Sequence, residues 1–274
     1  MNAKAQQFLR SLVSAPRSVL LLDYDGTLAP FALERHEAVP YAGLTELLQQ
    51  IMKTGRTRLL IVTGRDGYEI APLLKLDPLP EVWGSHGLQR LWPDGRCEMP
   101  EIPAKVSQAL EEGRRWLLDQ GIADLVELKP GSIAAHWRGI DDEAASKLRG
   151  RVLLGWFPIA ERGSLRLLEF DGGVEMRMAD MDKGDAVRVV LSETAREVPV
   201  AYLGDDATDE HAFQALGDRG LTVLVRPVER RTAAQVWLQP PEELQEFLEG
   251  WLEATSGAPR PTIPYSTVNE NAEL

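Results

Sequence analysis

Short, nearly uninterrupted apolar runs constrain the fold of this 274-residue chain more than any other feature of its sequence. Three of them lie at Ser18–Leu22, 58–62 and 198–203. Runs of this length are typical of strands that are buried on both faces of a parallel sheet. The segments that separate them have helical periodicity, so strand and helix alternate. This alternation predicts an α/β fold with a doubly wound, Rossmann-like parallel sheet.

The remaining elements of this core follow from the same two periodicities. Helices are predicted over 3–13, 41–53, 66–75, 183–194, 208–216 and 242–252, and further strands over 81–83, Leu221–Val225 and Val236–Leu238.

The pattern changes after about residue 99. A helix over 103–120 precedes two strands, and a helix over 141–153 precedes two more. The predicted strands lie at 124–129, 132–137, Leu165–Phe170 and 174–177. This order predicts a small α+β module with an antiparallel sheet, inserted as a cap, or lid, into the core. We therefore predict a core from residues 1–99 and 179–255, a cap from residues 100–178 and a loose tail from residues 256–274.

Composition excludes several classes of protein. The 30 basic and 42 acidic residues give a net charge of −12, so the chain has no global basic footprint for nucleic acid. Its one cysteine, Cys97, cannot form an internal disulfide. The apolar run that ends at Leu22 is too short to cross a membrane. We expect a cytoplasmic protein that binds neither nucleic acid nor membrane, with a monomer favoured.

Two acids, Asp23 and Asp25, follow the first apolar run directly. Ligands of open α/β sheets bind at the carboxyl ends of the strands, so these acids are expected at such a site. Because bare buried carboxylates are unstable, a cation is implied, and carboxylates with a carbonyl and waters suit Mg²⁺. The competing interpretation is an acidic turn that simply ends a strand.

A second acidic stretch follows the run at 198–203 and contains Asp205, Asp206 and Asp209. Either Asp206 or Thr208 would serve as the N-cap of the next helix. A cap accounts for one polar residue, however, and leaves the other acids beside Gly204 unexplained.

Two shorter signals complete the candidate site. Thr63, Gly64 and Arg65 follow the second run, where a hydroxyl and free backbone N–H groups can hold a phosphate, although these residues taken alone favour a plain turn. Arg65 would reach the phosphate or pair with an acid. Lys183 begins a helix, a position that favours a lysine only when an anion lies beside it.

Four short motifs have now been described, and they contain in chain order Asp23, Thr63, Lys183 and Asp205. Together and in this order they resemble the motifs of the haloacid dehalogenase superfamily of phosphotransferases. The resemblance implies that Asp23 is a nucleophile that forms an aspartyl-phosphate and that Asp25 is the general acid and then the base. Thr63 and Lys183 would bind the phosphoryl group, and Asp205 would complete a Mg²⁺ site with Asp23 and Asp25. Asp206 or Asp209 would support that site.

Within the superfamily the chain is similar to the trehalose-6-phosphate phosphatases over residues 18–252. The stretches that carry the similarity are LDYDGTLAP at 22–30, GSHGL at 84–88, ELKPGSIAAHWR at 127–138, VEMRMADMDKGDA at 174–186 and YLGDDATDEHAF at 202–213. The family places sugar-binding groups at five cap positions, which here are Glu127, Lys129, His136, Arg138 and Glu175. The sequence alone favours the polar face of a hairpin for His136 and Arg138. Gln89 departs from the family, where Glu is usual.

The resemblance implies a Mg²⁺-dependent phosphatase that converts trehalose 6-phosphate to trehalose and phosphate. A phosphatase for a related sugar phosphate, or a phosphosugar mutase, is the alternative enzyme. A receiver-like domain that stores an aspartyl-phosphate has no use for Asp25 or for a cap of this size. A catalytically inactive sugar-binding protein is disfavoured because every catalytic position is filled.

Overall fold

The apolar runs of the sequence form strands in the computed structural model, which describes residues 2–32, 34–122, 125–137, 139–170, 172–179 and 181–257. The strands of this described part are β1 (Ser18–Leu22), β2 (Thr57–Val62), β3 (Glu81–Gly84), β4 (Gln89–Leu91), β5 (Cys97–Glu98), β6 (Val126–Lys129), β7 (Ser132–His136), β8 (Leu165–Phe170), β9 (Gly173–Met178), β10 (Val200–Gly204), β11 (Leu221–Val225) and β12 (Val236–Leu238). Its α-helices are α1 (Ala3–Ser14), α2 (Leu44–Lys53), α3 (Gly67–Leu74), α4 (Ala104–Asp119), α5 (Asp142–Gly163), α6 (Lys183–Ser192), α7 (Asp209–Leu216) and α8 (Glu242–Ser256).

The larger sheet has the strand order β12-β11-β10-β1-β2-β3-β4-β5 within the described residues. Pairs from β12 to β3 are parallel, and β4 and β5 extend the edge in antiparallel pairs. Side chains alternate between the two faces of a strand. Leu20 and Leu22 of β1 accordingly pack with α1, α2, α3 and α8, whereas Val19 and Leu21 pack with α6 and α7. Helices on both faces confirm the predicted doubly wound core.

The winding direction of this sheet changes between β1 and β10. From β1 the chain proceeds through β2 to β3 on one side, and from β10 through β11 to β12 on the other. Such a switch point opens a crevice at the carboxyl ends of the strands. β1 ends at Leu22 and β10 ends at Gly204, so the two acidic stretches of the sequence both begin at this crevice.

A smaller antiparallel sheet, in the order β6-β7-β9-β8, lies between β5 and α6 along the chain. Its own apolar cluster includes Ile133, Val152, Trp156 and Met176, and it joins the sheet to α4 and α5. The helices cover one face of this sheet. The presence of an inserted α+β cap with an antiparallel sheet is confirmed. Its predicted limits at residues 100 and 178 stay predictions.

Four elements differ most from the sequence-based expectations. The prediction that α5 ends at residue 153 is wrong, because apolar positions continue through Trp156 and Ile159, and the helix runs past Pro158 to Gly163. The edge strands β4 and β5 are not predicted at all. The helix α8 ends at Ser256, beyond the predicted residue 252, while 258–274 lie outside the described residues. No helix of the described part combines the length and the apolar character needed to cross a membrane.

Candidate active site

Asp23 lies at the first position after β1 and is buried, with 3% of its surface exposed. Its backbone N–H donates to the carbonyl of Leu203 in β10 (2.9 Å), which fixes the acid between the two central strands. The ammonium of Lys183 lies 2.7 Å from its Oδ1. Lys183 is the first residue of α6, whose N-terminus is capped by the side chain of Asp182. The predicted nucleophile and the predicted phosphate-binding lysine are therefore in direct contact.

Asp209 organises the groups around this pair. Its Oδ1 accepts hydrogen bonds from Lys183 (2.8 Å) and from the hydroxyl of Tyr202 (2.6 Å). Its Oδ2 accepts from the backbone N–H groups of Asp205 (3.1 Å) and Asp206 (3.0 Å). The carboxylate of Asp206 accepts from the N–H of Ala207 instead. Of the two predicted supporting acids, Asp209 is thus the one that lies in the cluster.

The oxygen atoms of Asp23, Asp205 and Asp209 lie within 4.8 Å of one another. Oδ1 of Asp205 is buried and has no hydrogen-bond partner among the described residues. Gly26, which has a φ of +80°, makes room for this carboxylate, because a Cβ there would overlap it. Three carboxylates against one ammonium leave an excess of negative charge, and their oxygens are hard donors. These residues fit a divalent cation such as Mg²⁺.

Burial changes the acidity of this cluster. Burial and the charge of Asp209 raise the pKa of Asp23 to about 7, although Lys183 opposes the shift. Burial and the charges of Asp23 and Asp209 likewise raise the pKa of Asp205 well above its usual value. Both shifts follow from placing carboxylates close together in a poorly solvated site. Added positive charge at this point would therefore be stabilising.

Asp25 pairs with Arg65. The guanidinium donates from Nε to Asp25 Oδ2 (2.7 Å) and from a second nitrogen to Oδ1. Of the two roles that the sequence leaves open for Arg65, the structure shows the pairing with an acid. Asp25 is not a member of the carboxylate cluster described above, and its predicted role as a metal ligand stays a prediction.

The loop predicted to bind phosphate, residues 63–65, follows β2 and faces the acids, and we term it the phosphate loop. Thr63 is fully buried, and its hydroxyl accepts a hydrogen bond from the N–H of Arg65 (3.1 Å). Gly64 lies beneath the ring of His86, which a Cβ at that position would overlap. The loop thus lies at the carboxyl end of β2, beside the end of β1, where the sequence predicts it.

Cap residues close the other side of the site. Lys129 donates to the carbonyl of Gly64 (3.0 Å) and pairs with Oε1 of Glu175 (2.6 Å). Nε2 of His136 lies 2.7 Å from Oε2 of Glu127. The fifth predicted sugar-binding residue, Arg138, lies outside the described residues. The four described residues all line the cavity that contains Asp23 and Lys183, which has a volume of about 1080 Å³.

Sequence reasoning misses three partners in this region. Tyr202 is a strand residue whose pattern indicates only burial, and nothing in it signals a bond to Asp209. His86 lies in the GSHGL stretch, but the sequence of that stretch does not indicate which residues the histidine contacts. Gln89 accepts from the N–H of Gly67 (2.8 Å) and so anchors the start of α3.

Thr208 occupies the N-cap position of α7, although its hydroxyl makes no capping bond.

Comparison with known proteins agrees with this geometry. A family model described as Trehalose-phosphatase matches residues 21–241. The trehalose-phosphate phosphatase of Mycobacterium marinum (strain ATCC BAA-535 / M) is 33% identical over 251 residues, which cover 86% of this chain and 61% of that protein. The chain thus spans about three fifths of the length of the first curated relatives it matches.

Solved structures share the fold. The C-terminal domain of the C. albicans trehalose-6-phosphate phosphatase matches with a TM-score of 0.75 and 20% identity, covering 92% of this chain and 96% of that chain. A phosphatase of the haloalkanoate (HAD) superfamily from Bacteroides thetaiotaomicron matches with a TM-score of 0.57 and 17% identity, covering 87% and 96%. The resemblance drawn from the sequence motifs is confirmed. Because the family model covers most of its length, the chain belongs to the trehalose-phosphatase family.

Proposed function

We propose that this chain is a Mg²⁺-dependent phosphatase that hydrolyses trehalose 6-phosphate to trehalose and phosphate through an aspartyl-phosphate. The observation that carries the proposal is the buried contact between Asp23 and Lys183 (2.7 Å), beside the carboxylates of Asp205 and Asp209. A buried acid that pairs with an ammonium at a sheet crevice can attack phosphorus and have its charge neutralised at the same time.

In the first step an Asp23 oxygen forms a bond to phosphorus while the bond from phosphorus to the sugar oxygen breaks. Asp25 gives a proton to that leaving oxygen. In the second step water adds to the same phosphorus, its proton passes to Asp25, and the bond between Asp23 and phosphorus breaks to release phosphate. Arg65 orients the Asp25 carboxylate through its two bonds.

Lys183 and the phosphate loop position the phosphoryl group. Lys183 contacts both Asp23 and Asp209, so its ammonium is held where the phosphoryl oxygens would arrive. Gly64 lines the same cavity as Lys183, and Thr63 precedes it at the end of β2. Phosphoryl transfer depends mainly on such positioning and on neutralisation of charge. Asp23 and Asp205 would hold the metal, with Asp209 beside them, and Mg²⁺ when bound supplies positive charge that keeps these acids ionised.

The substrate part of the proposal rests on the cap and on the relatives. Glu127, Lys129, His136 and Glu175 bring charged and polar groups to the cavity opposite Asp23. Such groups suit the hydroxyls of a sugar, and the volume of about 1080 Å³ leaves room for more than a phosphate. The curated relative at 33% identity is named for trehalose-phosphate, and the substrate is carried over from that name.

Phosphate release from a panel of phosphate esters tests the proposal. Trehalose 6-phosphate, glucose 6-phosphate, glucose 1-phosphate and p-nitrophenyl phosphate would be compared with Mg²⁺, after chelation by EDTA and after Mg²⁺ is restored. We expect the highest kcat/KM for trehalose 6-phosphate and a loss of turnover on chelation that Mg²⁺ reverses. Turnover that survives exhaustive chelation, or a clear preference for another ester, would contradict the proposal. Phosphate that moves between sugars without accumulating would indicate a mutase.

The nucleophile is tested by Asp23→Asn, with Asp218→Asn as the matched control at an exposed acid. An amide is nearly isosteric with a carboxylate but does not attack phosphorus. We expect Asp23→Asn to lower kcat by roughly a thousandfold or more while the fold is retained, and the control to keep full turnover. Incubation of the wild type with substrate, followed by an acid quench and mass spectrometry, would detect the phosphoryl group on Asp23.

A further inference from the structure

The turn after β3 has an unusual backbone. Ser85 and His86 are consecutive residues with left-handed φ angles of +49° and +57°, although neither is glycine. Such residues persist only where surrounding contacts hold them, and they cluster at functional sites. Here the N–H of His86 donates to the carbonyl of Thr63 (2.9 Å) and that of Ser85 donates to the carbonyl of Arg65 (2.7 Å). The turn is therefore fastened to the phosphate loop.

The imidazole of His86 reaches from this turn to the cap. Its Nε2 lies 3.0 Å from Oε2 of Glu175, a residue of β9. The other oxygen of that carboxylate accepts from Lys129 (2.6 Å) and from the hydroxyl of Ser132 (2.8 Å). Lys129 returns to the core by donating to the carbonyl of Gly64. The contacts therefore run from the phosphate loop to the cap and back, through His86, Glu175 and Lys129.

The surroundings of the ring favour one protonation state. Burial lowers the pKa of His86 to about 4, even though the charge of Glu175 opposes the shift. A neutral ring next to a carboxylate carries its proton on Nε2 and donates it to Glu175, so Nδ1 is left as an acceptor. Nδ1 is buried and has no hydrogen-bond partner within the part of the chain that the structure describes. The ring also lies against Gly64, where a Cβ would come within 2.5 Å of Cε1.

We propose that His86 is a positioning residue that sets the sugar-facing groups of the cap relative to the phosphate loop. Its Nε2–H fixes Glu175, and Glu175 in turn directs the Lys129 ammonium into the cavity. This inference deepens the proposed function and rests on it, because it assumes that the cap recognises the sugar. A histidine that serves packing alone would affect every phosphate ester equally, whereas a positioning role concerns substrates that reach the cap.

Two amide substitutions that differ in length by one methylene group distinguish a positioning role of His86 from a packing role. Asparagine tolerates a left-handed backbone, but its amide ends near the position of Nδ1 and does not reach Glu175. The amide of glutamine reaches the position of Nε2 and keeps a donor for the carboxylate. His86→Asn is therefore the variant without the bond, and His86→Gln is the conservative rescue. His211→Asn, at a partly exposed histidine that does not line the cavity, is the control.

Steady-state kinetics with trehalose 6-phosphate and p-nitrophenyl phosphate test the inference. For His86→Asn we expect the KM for trehalose 6-phosphate to rise by about ten- to a hundredfold, the loss typical of a hydrogen bond to a charged group, with kcat within about threefold of wild type. We expect p-nitrophenyl phosphate kinetics to change less than about threefold, and both His86→Gln and the control to stay near wild type. Equal losses on both substrates, or no rescue by glutamine, would overturn the inference.

A double-mutant cycle tests the contact without substrate. Urea unfolding would be measured for the wild type, His86→Asn, Glu175→Gln and the double variant. We expect the two single effects on the free energy of unfolding to be non-additive, because the residues are in contact. Additive effects would overturn the inference. Non-additivity in a protein that does not hydrolyse trehalose 6-phosphate would uphold the His86–Glu175 contact and refute the proposed function instead.

Discussion

The Gly26→Ala variant combines two costs that can be measured separately. Gly26 has a left-handed backbone, which costs an alanine about 1 kcal/mol in the free energy of unfolding. Its new Cβ would also overlap the carboxylate of Asp205, which is 2% exposed and has no solvent to turn into. That carboxylate must therefore rotate away from Asp23 and Asp209, and the acid cluster loses one of its three members.

Gly43 offers a matched control. Its φ of +81° is the same as that of Gly26 within a degree, and a Cβ there would meet nothing within 4 Å. Gly43→Ala should therefore lose the same ~1 kcal/mol of stability through the backbone alone. Only Gly26→Ala should weaken the binding of Mg²⁺, by about 10–100-fold, the usual effect of disturbing a residue that orients a metal site.

Two titrations separate these costs. Urea unfolding without Mg²⁺ measures the cost of the left-handed backbone together with that of the steric overlap, so we expect Gly26→Ala to lose more stability than Gly43→Ala. Two measurements report the loss of Mg²⁺ affinity that follows from displacing the Asp205 carboxylate. One is the Mg²⁺ concentration that gives half-maximal phosphate release, and the other is the Mg²⁺ dependence of the thermal unfolding midpoint. The Mg²⁺ response should shift for Gly26→Ala and remain at the wild-type value for Gly43→Ala. Equal Mg²⁺ responses in both variants would refute the assignment of Asp205 to the metal site.

Three further predictions concern stability, pH and the cap. Arg56→Met removes a fully buried guanidinium that donates to five carbonyl groups, and urea unfolding should show a loss of about 3 kcal/mol with kcat unchanged. Because the pKa of His86 falls from 6.5 to about 4 on burial, the unfolded chain binds more protons between these values. Stability should therefore decrease as the pH falls through this window, by up to about 3 kcal/mol, and urea unfolding at pH 7 and 4.5 should show a smaller decrease for His86→Gln. Glu127→Ala should lower kcat/KM for trehalose 6-phosphate by roughly ten- to a hundredfold and affect p-nitrophenyl phosphate much less, whereas equal losses would indicate a structural role.

Strands formed by an apolar run of their own were the most predictable part of the fold. A run such as Leu20-Leu21-Leu22 has to be buried on both faces, and the predicted bounds of β1, β8 and β11 agree with the structure. The short edge strands β4 and β5 carry Gln, Arg, Cys and Glu, so their pairing depends on the neighbouring strand rather than on their own composition. The predicted end of α5 fails for a related reason, since tertiary packing of Trp156 carries the helix past Pro158.

The candidate site was predictable where its groups follow strands. Asp23, Thr63 and Asp205 all come directly after a buried run, and strand ends in a parallel sheet meet at one edge. The choice of partner for each group was not predictable. Whether Arg65 meets phosphate or Asp25, and whether Asp206 or Asp209 joins the cluster, depends on side-chain directions within a few ångströms. The contact of His86 with Glu175 joins two separate sheets, and no local pattern indicates it.

The Arg56 guanidinium has a consequence for how the molecule opens. It donates to the carbonyls of Leu12 and Val13 at the end of α1, and to those of Ala254 and Thr255 at the end of α8. The rings of Phe8 and Trp251 join the same two helices, with centroids 5.7 Å apart. The first and last described helices therefore form one cooperative unit, whose amide protons should exchange together. Because Arg56 immediately precedes β2, these contacts lie at the amino ends of the parallel strands, whereas the acids lie at the carboxyl ends. Loss of the Arg56 contacts should therefore loosen the two helices and leave the crevice intact.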